Sequence, residues 1–284
     1  MTVINLGIPN TSAPPSTTAI GTDTLWGLDV HALHDRLWAA RGLTIVRPGT
    51  TLTETARGTF VLVNHHDLIV DATLESMAQT LSPRIRLCRL DLYSKHGPNF
   101  TEVLETDADD RLLRLTRRYT PQRTSSGHVM MTRDASLARR WCATEDAHHA
   151  SVQVRRCVDV HQYARRDMSG ILHSAASFSA ARRMLPSLLS MVALSAPELG
   201  VVSIGVGVWA PATMVIPRGA RIVGPVWIGS GVAVHAGDRI IGPAIVFDQP
   251  DRGERDRESD GFGGSAGIET EAQEAPRVLA LPAR

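Results

Sequence analysis

IGVGVW APATMV IPRGAR IVGPVW IGSGVA VHAGDR IIGPAI VFDQ, residues 204–249, is the stretch on which the fold turns. Written in sixes, its first position is Ile204, Ala210, Ile216, Ile222, Ile228, Val234, Ile240 and Val246, aliphatic every time. The fifth position is Val208, Met214, Ala220, Val226, Val232, Asp238 and Ala244, small or apolar except at Asp238. With three hexads to a coil, residues 18 apart stack, so Ile204, Ile222 and Ile240 form one column and Val208, Val226 and Ala244 another. The near-identity of Ile222–Val226 with Ile240–Ala244 fits that spacing. Small residues, Gly and Pro at the second and fourth places suit the corners between short strands. The expectation is a parallel β-helix of about two and a half coils over residues 198–249, with Ile204, Ile216, Ile222, Ile228, Val234, Ile240 and Val246 facing inward. So short a solenoid cannot stand alone and must dock on the preceding layer or on another subunit. Trp209 and Trp227, 18 apart on the outer surface, are the natural contact ladder, either for a partner or for the helix before them.

Upstream, residues 25–197 read as an α/β layer. Asp29 can cap a helix whose apolar positions Val30, Leu33, Leu37 and Ala40 keep helical spacing, with Gly42 placed to end it. A strand from Leu43 to Arg47 follows, then a Pro48-Gly49 turn. Phe60-Val-Leu-Val63 reads as a buried strand that ends in Asn64-His-His-Asp67 before a helix from Ala72 to Leu81. In open α/β sheets ligands bind at such strand ends. Further strands are expected at 84–92, 102–106, 111–116 and 128–131, those at 102–106 and 111–116 as a hairpin around Asp107–Asp110. Thr132-Arg-Asp134 opens a helix with Leu137, Ala138 and Trp141 on one side, Val152–Val160 reads as a strand, and Ser169–Leu194 as helix broken at Pro186. Residues 1–24, rich in Ser, Thr and Pro, read as a disordered arm. Residues 250–284 read as a disordered charged tail, whose eight acids against five bases are too weak an excess to name a partner.

Composition narrows the function classes. A formal net charge of +1 leaves no global footprint for nucleic acid or an anionic membrane. Cys88, Cys142 and Cys157 are odd in number and widely spaced, without the C-x-x-C pairs of zinc or dithiol sites, and imply a reduced cytoplasmic setting. Met1–Pro9 has no basic region before an apolar core and is not expected to be a signal peptide. The most apolar run, Met184–Ala196, falls well short of the ~20 residues of a transmembrane helix. Lys95 is the only lysine among 30 basic residues.

The candidate site residues follow from these placements and from resemblance. His65, His66 and Asp67 with Asp71 could be a metal cluster, but adjacent histidines on a strand end point to opposite faces, and a polar loop is the simpler reading. His148-His149 reads as a solvated turn, and the arginine pairs 117-118, 139-140, 155-156, 165-166 and 182-183 as solvated faces or an anion surface. The hexads resemble those of hexapeptide-repeat transferases, which implies a left-handed coil where crossover physics alone favours the right hand. Such acyltransferases use a histidine as general base beside a coenzyme A groove, the place that His235 would take. The order of an α/β layer and then hexads resembles sugar-1-phosphate nucleotidyltransferases of the mannose-1-phosphate guanylyltransferase type. Phe60–Asp71 is similar to the strand that ends in that family's metal-binding aspartate. The resemblance implies a sugar-nucleotide site at Asn64 and Asp67, with Mg2+ at Asp67 if the chain is active. Glu102–Tyr119 is similar to the hairpin carrying its Glu-Lys-Pro sugar contact, which puts Arg117 and Arg118 at the sugar.

A closer resemblance covers most of residues 28–250. It is to the non-catalytic cytosolic region accompanying bacterial exopolysaccharide sugar transferases, and it rests on Leu33–Gly42 (LHDRLWAARG), Thr132-Arg-Asp134 and Gly224–Gly229 (GPVWIG). Two departures weigh against catalysis. No G-G-x-G-T-R-L loop is present to cradle a triphosphate with backbone amides. Lys95 matches neither lysine of the family, and an arginine cannot accept a hydrogen bond from a sugar hydroxyl as glutamate does. The expectation is a non-catalytic, nucleotidyltransferase-like protein of exopolysaccharide or carbohydrate biosynthesis. It would bind a sugar nucleotide or a partner sugar transferase, in the cytoplasm or held at the inner membrane by that partner. An active nucleotidyltransferase and a hexapeptide acyltransferase are the alternatives.

Overall fold

A computed structural model describes residues 23–70, 73–93, 100–107, 112–119, 129–169, 171–249 and 278–280. The arm at 1–22 and most of the tail lie outside these. A turn at Leu25–Leu28, with Trp26 and Gly27 both at positive φ, leads into α1 (Val30–Ala39). Asp29 starts this helix by accepting a hydrogen bond from the Ala32 amide at 2.8 Å, and Val30, Leu33, His34, Leu37 and Trp38 form its buried face. Then come β1 (Leu43–Val46), β2 (Thr59–Leu62), β3 (Asp67–Val70), α2 (Thr73–Thr80), β4 (Leu87–Tyr93), β5 (Phe100–Thr106), β6 (Leu112–Tyr119) and β7 (Met130–Thr132). They are followed by α3 (Ala135–Cys142), α4 (Ala147–Arg156), β8 (Tyr163–Ser169), β9 (Ile171–Ser174), α5 (Phe178–Ala181), α6 (Leu185–Leu189) and α7 (Val192–Leu199).

The central sheet has the order β1-β2-β7-β4-β8. β1 and β2 are parallel, as are β4 and β8, and β7 runs antiparallel between the two pairs. Both of its faces are apolar, and the pleat sorts them. Phe60, Leu62, Leu87 and Met130 point to α3 and α4, while Val61, Val63, Cys88 and Met131 point to α1, α2 and the α5–α7 helices. β5 and β6 form a separate hairpin, and β3 pairs with β9 away from the main sheet.

Two expectations are corrected here. Val152–Val160 is not a strand. Asp146 caps α4 through the His149 amide at 2.9 Å, and Ala147, Ala150, Ser151 and Val154 fall at helical spacing on its buried side. The helix expected at 169–194 instead begins as strand, because Ile171–Ser174 finds a ladder with Asp67–Val70, and only then breaks into three short helices.

The hexad segment contains β10 (Val201–Gly205), β11 (Val208–Pro211), β12 (Arg221–Val223), β13 (Val226–Ile228), β14 (Arg239–Ile241) and β15 (Ala244–Val246). β11, β13 and β15 pair in parallel, Val208 to Val226 to Ala244, an offset of 18 residues at each step. β12 and β14 repeat that offset, Ile222 beside Ile240. Between the two ladders lie Val208, Ala210, Val226, Ile228 and Val246, with Met214, Ile222, Val232 and Ile240 against them, all from the first and fifth hexad positions. Ile216 and Val234 are half-buried on the third side, which carries no strand. Ile204 is a correction. It is 38% exposed, because β10 runs antiparallel to β11 and turns it away from the column that its spacing implied. The tail is corrected as well at β16 (Val278–Ala280), which adds antiparallel to β15.

The hexad segment keeps an interior cluster of its own, yet the main core also runs across the 197/198 boundary. Trp227, Ile245 and Phe247, from the outer face of the β13–β15 ladder, belong to the same buried cluster as Leu25, Leu33, Phe178 and Leu188, with Trp209 packed at its edge. A carboxylate fastens the joint. Asp248 accepts hydrogen bonds from the amides of Trp26 (2.8 Å), Gly27 (2.6 Å) and Ser230 (2.6 Å), and Trp26 Nε1 donates to the Ile228 carbonyl at 2.8 Å. Gly229 permits the approach, since a Cβ there would lie 2.5 Å from Asp248 Oδ1. Asp248→Ala leaves three amides without an acceptor and should cost roughly 1–3 kcal/mol in urea unfolding, with the lower end set by the joint's partial exposure. Gly229→Ala should lower stability by the same route, and an unchanged midpoint in both variants would remove the staple from the account.

Candidate functional site

The strand end to which the sequence pointed is occupied by the protein itself. Arg47, one residue past β1, is 4% exposed and spreads its guanidinium beneath the loop that joins β2 to β3. Nη1 donates to the carbonyls of Asn64 (3.1 Å), His65 (2.9 Å) and Asp67 (2.8 Å). Nε and Nη2 reach the two oxygens of Asp35 on α1, at 3.2 and 2.8 Å, a bidentate charge pair. Beside it His34 is fully buried. Its Nε2 accepts from the Ile69 amide at 2.9 Å, so the ring proton sits on Nδ1 and is donated to Asp35 Oδ1 at 2.7 Å. The 3.1 Å approach of Arg47 Nη2 to Nδ1 is then proximity between two donors.

Burial pushes the His34 pKa down and keeps the ring neutral, against the pull of Asp35. Burial alone would raise Asp35, but the hydrogen bonds from His34 and Arg47 outweigh it and hold the carboxyl below its ordinary range. Asn64 and Asp67 are therefore brought together, but their carbonyls are committed to Arg47. Asn64 Oδ1 accepts from the His65 amide at 2.8 Å, and the Asp67 side chain is buried at the head of β3.

The histidines form the polar loop expected of them, but their rings do not point to opposite faces. Residues 65 and 66 sit in a turn, so their rings lie together, 5.1 Å between centroids, with His31 at 5.5 Å from His66. Among the described residues no group of three or more His, Cys, Asp or Glu is placed to hold a metal ion. Asp71 lies outside the described residues, and among those described the strand-end loop offers Mg2+ a single carboxylate, Asp67. Arg117 and Arg118 lie on β6, opposite Glu102 and Thr101, in a two-stranded sheet that shares no ladder with the strand-end loop. His235 occupies an exposed turn, its amide donating to Asp238 at 2.7 Å and its ring 3.6 Å from the same carboxylate. His148 and His149 open α4 rather than forming a turn.

Three sequence segments that carried the closer resemblance serve packing. In Leu33–Gly42, Leu33, Leu37 and Trp38 are core, Trp38 Nε1 donates to the Ile69 carbonyl at 2.9 Å, and Arg41 pairs with Glu75 at 3.0 Å. In Thr132-Arg-Asp134, Arg133 donates to the Ala78 and Leu81 carbonyls at the end of α2, while Asp134 caps α3 and pairs with Arg86. Burial opposes ionisation of Asp134, yet the bonds from Ser136 and Arg86 hold its pKa down at about 2. In Gly224–Gly229, Val226 and Ile228 face the coil interior and Trp227 faces the main core. No family model matches the chain, and no curated protein matches it.

Replacing Arg47 by Met leaves the half-buried Asp35 without its cation and three carbonyls without a donor, and should destabilise by roughly 1–3 kcal/mol. Arg47→Lys should recover little of this, because an ammonium cannot span the two carboxylate oxygens and three carbonyls together. The histidine gives a pH signature. With its folded pKa below the unfolded value near 6.5, His34 favours the folded state above about pH 6.5 and opposes it below, where the unfolded chain takes up the proton. His31, also shifted down by burial, acts in the same sense. Stability should fall between pH 7.5 and 5.5, and less steeply in His34→Asn. Equal slopes in calorimetric Tm against pH would contradict the assignment.

Proposed function

We propose that this chain is a non-catalytic component of exopolysaccharide or related carbohydrate biosynthesis, which binds a partner sugar transferase or a sugar nucleotide without turning one over. The observation that carries the reading is Arg47. A buried cation with committed hydrogen bonds fills the strand end at which a nucleotidyltransferase would assemble nucleotide, metal and sugar phosphate. The sequence adds that no Gly-rich loop follows the first strand to receive a triphosphate. The segments most similar to the exopolysaccharide proteins build the frame, which suits a module retained for its surface.

The hexad segment is read here as a short left-handed β-helix capping the α/β layer, supported by two parallel ladders with a common 18-residue offset. No helix among the described residues is long and apolar enough to cross a membrane. Calorimetry with GDP-mannose and UDP-glucose, run beside a pyrophosphate-release assay with Mg2+, tests the reading. Binding without pyrophosphate turnover is the expected result. Magnesium-dependent turnover would overturn it.

A further inference from the structure

A pocket of about 280 Å³ lies between α2 and the β4–β8 edge of the sheet, remote in sequence from Arg47 and its partners. Its walls divide by chemistry. Met77, Leu81, Ile85, Cys88 and Ala164 make an apolar floor, while Thr73, Ser76 and Ser82 bring hydroxyls and Arg166 a guanidinium. We propose that this pocket binds a small phosphate monoester, with Arg166 holding the phosphate and the apolar floor taking the organic group.

Strand register puts the cation there. Arg166 pairs with Leu90 and Ala164 with Cys88, so Arg166 stands on the pocket face of β8, and Arg165 on the opposite face. Arg165 is spent on Asp91, at 3.0 and 2.8 Å. Arg166 has no carboxylate within ion-pair distance among the described residues, and its Nη1 touches only the neighbouring Arg165 carbonyl at 3.3 Å. Two carboxylates among the described residues are turned elsewhere. Glu75, in the first turn of α2, is drawn to Arg41, and Asp91 faces away with Arg165. Burial pushes the Cys88 thiol up to about 11, so at neutral pH it adds no charge to oppose an anion. The frame is fixed as well, because Arg133 clamps the end of α2 through the Ala78 and Leu81 carbonyls.

Size selects the ligand class. Ligand pockets commonly span ~300–1,000 Å³, so this one, at the small end, matches a monosaccharide phosphate or a similar monoester. A guanidinium is phosphate chemistry, and an apolar floor rewards a ligand with a hydrocarbon face. The inference does not depend on the carbohydrate reading above.

The test is calorimetric titration of the full chain with glucose 1-phosphate, phenyl phosphate, inorganic phosphate and glucose. Both monoesters should bind more tightly than inorganic phosphate, and glucose should not bind. Arg166→Ala, an exposed change that should leave the circular dichroism spectrum unaltered, should weaken both monoesters at least about tenfold. Arg165→Ala should leave them unchanged. Failure of both monoesters to bind the wild-type chain, undiminished binding by Arg166→Ala, or equal loss in Arg165→Ala would each overturn the proposal. So would inorganic phosphate binding as tightly as the monoesters. Retained sugar-nucleotide binding by a wild-type chain that takes neither monoester would sink this site and leave the proposed function standing.

Discussion

The guanidinium of Arg47 is the constraint around which the rest is arranged. A buried arginine is tolerated only when its charge is paired and its donors are filled, and here one carboxylate and three carbonyls meet that demand. Those acceptors come from α1 and from the loop before β3, so filling them fixes helix, sheet end and loop in one arrangement. The consequence passes along the chain. β3, set by the loop, supplies the ladder for β9, and β9 delivers the chain to the helices on which the coil rests.

The second joint is of another kind. Trp227, Ile245 and Phe247 give the coil an apolar outer face that vanishes into the main core, a non-directional attraction that fixes proximity and little else. Asp248 supplies direction, binding amides from residues over 200 positions earlier and from the preceding coil. The short ladders gain from this what they lack in length, and their open edge at β15 is covered by three residues of the tail. Joined this way, coil and α/β layer behave as one packing unit, and a partner would meet a single surface rather than two hinged parts.

How far the sequence could be read depended on whether the deciding contact was local. Asp29 and Asp134, each before a helical apolar face, mark α1 and α3 directly, and the 18-residue offset of the ladders is visible in the near-repeat of Ile222–Val226 at Ile240–Ala244. Alternating valines from 152 misled because the cap at Asp146 and the face of α3 settle that segment as helix. Pairing of β3 with β9 joins two four-residue strands a hundred residues apart, and no local signal announces it. Ile204 kept the period but lost the column, since Gly205–Gly207 reverse the chain there. At the candidate site the strand-end rule pointed to the loop of Asn64 and Asp67, where the structure shows a contact made by the backbone. Asn64 and Asp67 stood out because their side chains are polar, whereas their carbonyls do the binding. Arg47 drew no notice, because burial of a charge is a tertiary fact. Its only written signal is an arginine at a strand end, upstream of a polar loop and downstream of His34-Asp35 on a buried helix.

The central claim is that the strand end is closed by the protein's own arginine. Nitrogen-15 NMR of the arginine side chains reads this directly, with Arg47 assigned by its loss in Arg47→Lys. The account predicts a slowly exchanging Arg47 Nε–H whose shift does not move when Mg2+, GTP and mannose 1-phosphate are added together. A fast-exchanging Nε–H, or a resonance displaced on their addition, would mean that the strand end is open to ligand and would contradict it.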